Sequence, residues 1–326
     1  MQTKILIIYP RSSKQLGLWS DLEDDPQIIL RSTDLKKVNL GKSIIRKIHL
    51  SKKINTYISI PMKYIWYEYS DMYRLLPIVD KILIIDGALN HLSIKDLERC
   101  RRINPSVEIN LFLLNSLLAG SPILKNVRPK ISQFDWNGIY TFDPQDALTF
   151  GYVYTGFSYY SMKRVQPPHD TKYDVYFVGG LKGNRNDLIF NVFTSLHENN
   201  LKCKFQLYSP YGKYLEADGI NYSKEWIPYD AVLSDVVCSN CILEILQKNQ
   251  HGATLRYFEA VCYNKKLLTN NKDIVNYPYY NPYWMKIFED VEDSDLDWVV
   301  MKEYLDYKYN GDFSPRKLIN ILLKNE

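Results

Sequence analysis

The segment with the most chemical content is Gln250-His251-Gly252-Ala253-Thr254-Leu255-Arg256-Tyr257-Phe258-Glu259-Ala260. An apolar, strand-like run ends just before it, and a helical pattern occupies its second half. Gly252 lets a phosphate come close to the backbone, and Thr254 can cap the helix. The free N–H groups of the first turn, from Ala253 and Thr254 onward, form an anion site. Arg256 falls in the same region, where a guanidinium can pair with two phosphate oxygens at once. Glu259 lies one turn further along that face, placed to grip a ribose diol. Glycine, hydroxyl, guanidinium and acid at these offsets meet the needs of a nucleoside diphosphate. They also describe an ordinary capped helix with an internal Arg–Glu pair.

A second candidate is the loop Gly179-Gly180-Leu181-Lys182-Gly183-Asn184-Arg185. Gly179, Lys182 and Arg185 can wrap phosphate oxygens or close over an acceptor, or the loop is a plain tight turn. Its spacing is neither that of a Walker loop nor that of a dinucleotide fingerprint. Cys238-Ser-Asn-Cys241 has redox or zinc spacing, but no second Cys or His pair completes a site, so no metal is expected. The acidic strings Asp21 to Asp25 and Glu289 to Asp297 read as solvated surface.

Elements with a regular rhythm must position these groups. In the first half, Lys4 to Tyr9, Lys81 to Ile85, Val107 to Leu114 and Ile139 to Phe142 have strand length and apolar content, and Ser93 caps a helix reaching about Arg102. Gly156, Ser158, Ser161, Pro167 and Pro168 break the pattern. The second half restarts with a strand at Asp174 to Val178 and a helix at Asp187 to Leu196. A strand at Lys204 to Tyr208, a helix at Tyr229 to Val237 and a strand at Cys241 to Leu246 follow. A helix at Thr254 to Tyr263 and a strand at Lys266 to Thr269 complete the pattern, and Ser314-Pro315 opens a closing helix. The expected class is α/β, with two Rossmann-like parallel-sheet domains facing a cleft. The expected boundaries are 1–155 for the first domain, 156–171 for a linker, 172–290 for the second domain and 291–326 for helices packing back.

The second half resembles the donor domain of GT-B glycosyltransferases, especially bacterial enzymes of lipopolysaccharide or capsule synthesis. The likeness rests on Tyr173-Asp174-Val175-Tyr176-Phe177-Val178-Gly179, Ile242-Leu243-Glu244-Ile245, the Gly252 to Ala260 segment, Lys265 to Asn271 and Tyr279-Tyr280-Asn281. It covers roughly residues 172 to 285, and the first half only by architecture. It implies that Glu259 holds the ribose, that the helix start at Gly252 and Thr254 holds the diphosphate, and that Trp226 and Ile227 border the nucleobase. Trp226 suits core packing equally well. The donor implied is a nucleotide-diphosphate sugar, a UDP-sugar first, with no obligatory metal or cofactor. The acceptor implied is a glycan or a lipid-linked glycan. Many retaining relatives carry a second glutamate eight positions before the ribose acid. Here that place is His251, which leans the reading toward inversion.

Inversion needs a general base on the acceptor hydroxyl. Asp86 and Asp143 close strands of the first half, and His91 follows Asp86 by five residues. Either aspartate can instead cap a helix. Two other readings stay open: a nucleotide-sugar 2-epimerase, and a non-catalytic sugar-nucleotide-binding protein of the same fold.

Composition narrows the partners. The 326 residues include 41 basic and 37 acidic side chains, a net charge of +4, too even for a nucleic-acid-binding face. The cations are uneven all the same: Lys42, Arg46, Lys47, Lys52 and Lys53 alternate with Ile44, Ile45, Ile48 and Leu50. That stretch is either a solvated helix face or a contact for an anionic membrane. Five scattered cysteines, the absence of a secretory pattern at Met1 to Pro10 and the lack of any bilayer-length apolar run predict a cytoplasmic protein. Its place could be the cytoplasmic face of the inner membrane.

Overall fold

A computed structural model of the chain describes residues 2–58, 60, 62–118, 122–166, 170–181, 185–209, 212, 215–247, 252–291 and 293–324. The chain divides into two compact units, Met1–Gly156 and Phe157–Glu326.

In the first unit, strands β1 (Ile5–Tyr9), β2 (Ile28–Ser32), β3 (Lys81–Ile85), β4 (Glu108–Leu113), β5 (Gly138–Thr141) and β6 (Val153–Tyr154) form one sheet. Their order is β2-β1-β3-β4-β5-β6, and every pairing is parallel. Parallel sheets are covered on both faces, so central strands read as unbroken apolar runs. All five residues of β1 and of β3 are buried, and both were legible for that reason. The edge strand β2 was not foreseen, because its second half is the polar pair Arg31-Ser32. The helices are α1 (Arg11–Leu16), α2 (Leu40–His49), α3 (Lys52–Tyr57), α4 (Met72–Leu75), α5 (Ile94–Ile103), α6 (Arg128–Gln133) and α7 (Pro144–Phe150). Ser93 caps α5 as predicted: its Oγ accepts the Asp96 N–H at 3.2 Å, and Asp96 returns the bond to the Ser93 N–H at 2.8 Å.

In the second unit, β7 (Tyr173–Gly180), β8 (Cys203–Tyr208), β9 (Ile220–Ser223), β10 (Ser239–Glu244), β11 (Lys266–Thr269) and β12 (Met285–Ile287) form another all-parallel sheet. Its order is β12-β11-β10-β7-β8-β9. The chain therefore builds outward from β7 to one side and then returns to build the other side from β10. Ligands of open parallel sheets bind at the carboxyl ends of the strands flanking such a reversal. The helices are α8 (Asn186–Glu198), α9 (Tyr229–Val237), α10 (Leu255–Cys262), α11 (Asp293–Val300) and α12 (Pro315–Lys324).

The segment after Gly156, expected to be linker, is instead part of the second unit's core. Phe157, Tyr159 and Tyr160 are buried, and Tyr160 stacks on Phe258 with ring centres 5.3 Å apart. Glycine, serine and proline disguised a strap whose aromatic rings need covering. The closing helices join the same unit. Leu296 and Val299 of α11 pack with Cys241 and Leu243 of β10. Just before α12, Phe313 meets Phe258 edge-on at 4.7 Å, and its carbonyl accepts the Tyr160 N–H at 2.8 Å.

Candidate functional site

The start of α10 lies at the sheet reversal of the second unit. Thr254 has extended backbone angles, and its hydroxyl oxygen accepts the Arg256 N–H at 3.1 Å, the predicted cap. Two residues earlier Gly252 takes φ +83°, a conformation that side chains with a Cβ rarely adopt. The Ala253 carbonyl accepts the Tyr159 hydroxyl at 2.9 Å, so the buried strap fixes the approach to the helix. Beneath this turn sits Glu244, the last residue of β10. Its carboxylate accepts the Thr254 hydroxyl through Oε1 and the Thr269 hydroxyl through Oε2 at 2.6 Å. Burial raises its pKa, against lowering by the two threonines and Arg256. One carboxylate thus ties the ends of β10 and β11 to the N-cap residue of α10. Gln250 and His251 lie outside the described residues.

Arg256 and Glu259 turn toward each other. Arg256 Nη2 and Glu259 Oε1 are 2.7 Å apart, and the Tyr229 hydroxyl donates to the same oxygen at 3.0 Å. The Tyr160 and Tyr229 hydroxyls are bonded at 2.8 Å. The observed arrangement is therefore the internal Arg–Glu pair that the sequence had left as one of two readings. Glu259 has no exposed surface, whereas 12% of the Arg256 side chain is exposed. Burial pushes the Glu259 carboxyl up to about 7; Arg256 and Tyr229 work against the rise and Glu244 adds to it. The network is incomplete. Arg256 Nη1 and Glu259 Oε2 are both buried without a hydrogen-bond partner among the described residues. Buried polar atoms left in that state are uncommon and costly.

The glycine loop behaves differently from expectation. β7 runs on through Gly179 and Gly180, and Arg185 folds its guanidinium onto backbone carbonyls rather than presenting a free cation. Nε and Nη2 donate to the Gly180 carbonyl, at 3.2 and 2.6 Å, and Nη1 to that of Ile245 at 3.0 Å. Arg185 thereby clamps the ends of β7 and β10 together, and burial lowers its pKa. Gly179 makes room for the clamp, since a Cβ there would stand 2.9 Å from the Phe177 ring and 3.2 Å from Arg185 Nη2. Lys182 lies outside the described residues. Trp226 is not a core residue. It is 71% exposed and stacks on Tyr208, the last residue of β8, with ring centres 5.0 Å apart and planes 12° from parallel. Ile227 beside it is half-buried.

In the first unit, both candidate carboxylates are held by backbone. Asp86 is buried at the end of β3. Oδ2 accepts the N–H groups of Leu114 and Asn115 at 3.0 and 2.9 Å and the Asn115 side-chain amide at 3.0 Å, while Oδ1 accepts the Gly87 N–H. Burial lifts its carboxyl to about 6 in spite of those donors. Asp143 is the N-cap of α7 through Oδ1, which accepts from Gln145 and Asp146 at 2.8 and 3.2 Å; it too is buried, and its Oδ2 has no hydrogen-bond partner among the described residues. The capping alternative foreseen for Asp143 is the one realised, and Asp86 organises the turn after β4. His91 is exposed, with its ring against Tyr67 at 4.9 Å. Loss of water around the part of the ring that faces Tyr67, and the nearby Lys130, lower its pKa.

In sequence, the chain matches no protein-family model and no curated protein. In structure, it matches the apo form of the lipopolysaccharide outer core galactosyltransferase WaaB, with a TM-score of 0.51 and 12% identity over 99% of this chain and 100% of that one. It also matches an alpha-glucosyltransferase in complex with UDP and a 13-mer DNA, with a TM-score of 0.50 and 12% identity over 82% of this chain and 80% of that one. The fold is GT-B. At such identity the likeness is one of fold, and a fold does not carry a reaction with it.

Within this GT-B chain the residues gathered at the β7–β10 reversal are Gly179, Arg185, Glu244, Thr254, Arg256 and Glu259. Sequence reasoning missed Glu244, Tyr229 and Tyr160. The signal for Glu244 was present, since an acid closing a buried strand must find donors. The two tyrosines gave none, being two among 27.

Proposed function

We propose that this chain is a glycosyltransferase that takes a sugar from a nucleotide-diphosphate sugar, UDP-linked in the first instance. The acceptor is a growing cell-surface glycan of the lipopolysaccharide, O-antigen or capsule kind, free or lipid-linked. The observation that carries the reading is the incomplete network at the start of α10, where a buried arginine nitrogen and a buried carboxylate oxygen have no partner among the described residues, beside a capped helix terminus. Nη1 of Arg256 and the first-turn N–H groups after Gly252, Ala253 and Thr254 take the diphosphate. Oε2 of Glu259 takes the ribose diol; because Glu259 is covered, that contact requires Tyr229 and Arg256 to part from it. Trp226 on Tyr208 offers a flat face to the base, with Ile227 beside it.

Dipole and guanidinium supply the positive charge that a metal would otherwise bring, which favours a metal-independent transfer. Transfer with inversion needs a proton acceptor on the acceptor hydroxyl. Asp86 has both oxygens engaged by donors and Asp143 is buried as the cap of α7, so the exposed His91 becomes the first candidate. The protein acts on the cytoplasmic face of the inner membrane, where a lipid-linked acceptor is presented.

The test is a thermal-unfolding screen with UDP, other nucleoside diphosphates and their sugars. A ligand at about a hundred times its dissociation constant adds about 2–3 kcal/mol. Radiolabelled sugar transfer is then followed with and without EDTA. Failure of every nucleotide to raise the unfolding midpoint overturns the reading, and loss of transfer in EDTA overturns its metal-independent part.

A further inference from the structure

From Lys36 to Trp66 the chain carries eight lysines and arginines and no aspartate or glutamate. Inside this stretch α2 is packed inside out. At 100° per residue, Leu40, Ile44, Ile45 and Ile48 share one face, and Lys42, Ser43, Arg46, Lys47 and His49 share the other. The residues that turn toward the unit are polar. Ser43, Arg46 and His49 are half-buried; Arg46 donates to the Lys36 carbonyl at 2.7 Å, and His49 Nδ1 accepts the Trp66 Nε1–H at 2.8 Å. The apolar face looks outward: Leu40 is 81% exposed, and Ile44, Ile45 and Ile48 are each more than half exposed. A helix resting on a soluble core does the reverse.

The neighbourhood continues the pattern. Tyr57, Ile58 and Met62 are exposed, and nine of the 23 large apolar side chains exposed among the described residues lie between Leu35 and Ile65. Single exposed apolar residues are ordinary, but a concentration of this kind marks a docking face.

We infer that α2 and the segment to Ile65 dock on the surface of an anionic lipid bilayer, with the apolar face at the headgroup–acyl boundary and the lysines among the headgroups. Charge selects this occupant. Two copies of the chain placed face to face would bring cations against cations with no acid between them, whereas anionic headgroups neutralise them. The geometry is that of a helix lying in the interface. At ten residues α2 is too short to cross a bilayer, and no described helix is long and apolar enough to do so. The inference does not depend on which reaction the second unit performs.

The test uses the full chain, sedimented with vesicles of phosphatidylcholine alone and with about a third phosphatidylglycerol. Ile44→Ser with Ile48→Ser, and Lys42→Gln with Lys47→Gln, alter only exposed side chains. Circular dichroism and the unfolding midpoint confirm that the variants fold. The wild type should partition onto the anionic vesicles, less so in high salt, and each double variant should lower the partition coefficient by about tenfold or more. Absence of wild-type partition, or equal partition in both variants, overturns the inference. So does a concentration-dependent dimer in light scattering that the isoleucine variant abolishes, which would assign the face to a second copy. Nucleotide binding is measured without vesicles, so failure of the donor-site reading shows separately.

Discussion

The Tyr229 hydroxyl and the Arg256 guanidinium meet on one oxygen of Glu259, at 3.0 and 2.7 Å, while the other oxygen of the same carboxylate has no partner among the described residues. Because Tyr229 gives its only proton to Glu259, Tyr160 must be the donor in the 2.8 Å bond between the tyrosines. The chain of donors runs one way and stops at Oε1. A ligand that supplied donors to Oε2 and acceptors to Arg256 Nη1 would complete it.

Arg256→Ala should therefore weaken UDP binding by about 1.5–3 kcal/mol, roughly ten- to a hundredfold, through loss of a charge-assisted bond. Glu259→Ala should weaken it similarly if the ribose is held there. Isothermal titration decides the matter. Unchanged affinity in both variants would leave the pair as a structural feature of α10 alone.

Burial also predicts a pH dependence. Glu259 is held at about 7 against an ordinary 4.5, so the folded chain binds this proton more tightly than the unfolded one. Its contribution to stability is full below about pH 4.5 and is lost as pH rises through about 7. Asp86, held at about 6 against 3.8, has the same sign over its own window. In Glu259→Gln the first contribution disappears. The gap in urea stability between variant and wild type should shift in the variant's favour between pH 4.5 and 7.5, by an amount on the order of 2–3 kcal/mol. A gap that stays constant across that range would show that the carboxyl is not raised.

The first-unit residues separate by assay. Asp86→Asn leaves one backbone donor facing an amide and should cost about 1–3 kcal/mol of stability. Asp143→Asn should cost less, because asparagine caps as well as aspartate. Neither should abolish turnover in the folded fraction. His91→Gln should lower turnover by about a hundredfold with UDP affinity intact. Normal turnover in His91→Gln, with collapse in either aspartate variant, would return the proton acceptor to that carboxylate.

Trp226 is exposed, so Trp226→Ala should change stability by no more than about 0.5 kcal/mol. If its face stacks on the base, the same change should cost about 1–3 kcal/mol in nucleotide affinity, a scale known from aromatic stacking on nucleobases. An affinity equal to that of the wild type would remove Trp226 from the site.

Local signals were legible because their causes are local. The apolar runs Ile5 to Tyr9 of β1 and Ile82 to Ile85 of β3 announce strands covered on both faces, and Thr254 and Ser93 announce helix starts through a hydroxyl three residues or fewer from its N–H partner. The same locality made Gly252 and Arg256 stand out as candidates, and the order of elements pointed to two parallel-sheet units. What only the tertiary structure decided are the choices that depend on distant partners. Asp86 is a turn organiser because strand order brings the Leu114 and Asn115 N–H groups to it from 28 and 29 residues away. Arg185 is a clamp because β10 lies beside β7, which puts the Ile245 carbonyl in its reach across 60 residues. Glu259 faces Tyr229 because α9 and α10 both pack on β10. In α2, the spacing of Leu40, Ile44, Ile45 and Ile48 defines an apolar face, and nothing in the spacing says which way that face turns. Periodicity fixes what shares a side of a helix; the partners that cover one side, and leave the other open, come from elsewhere in the chain.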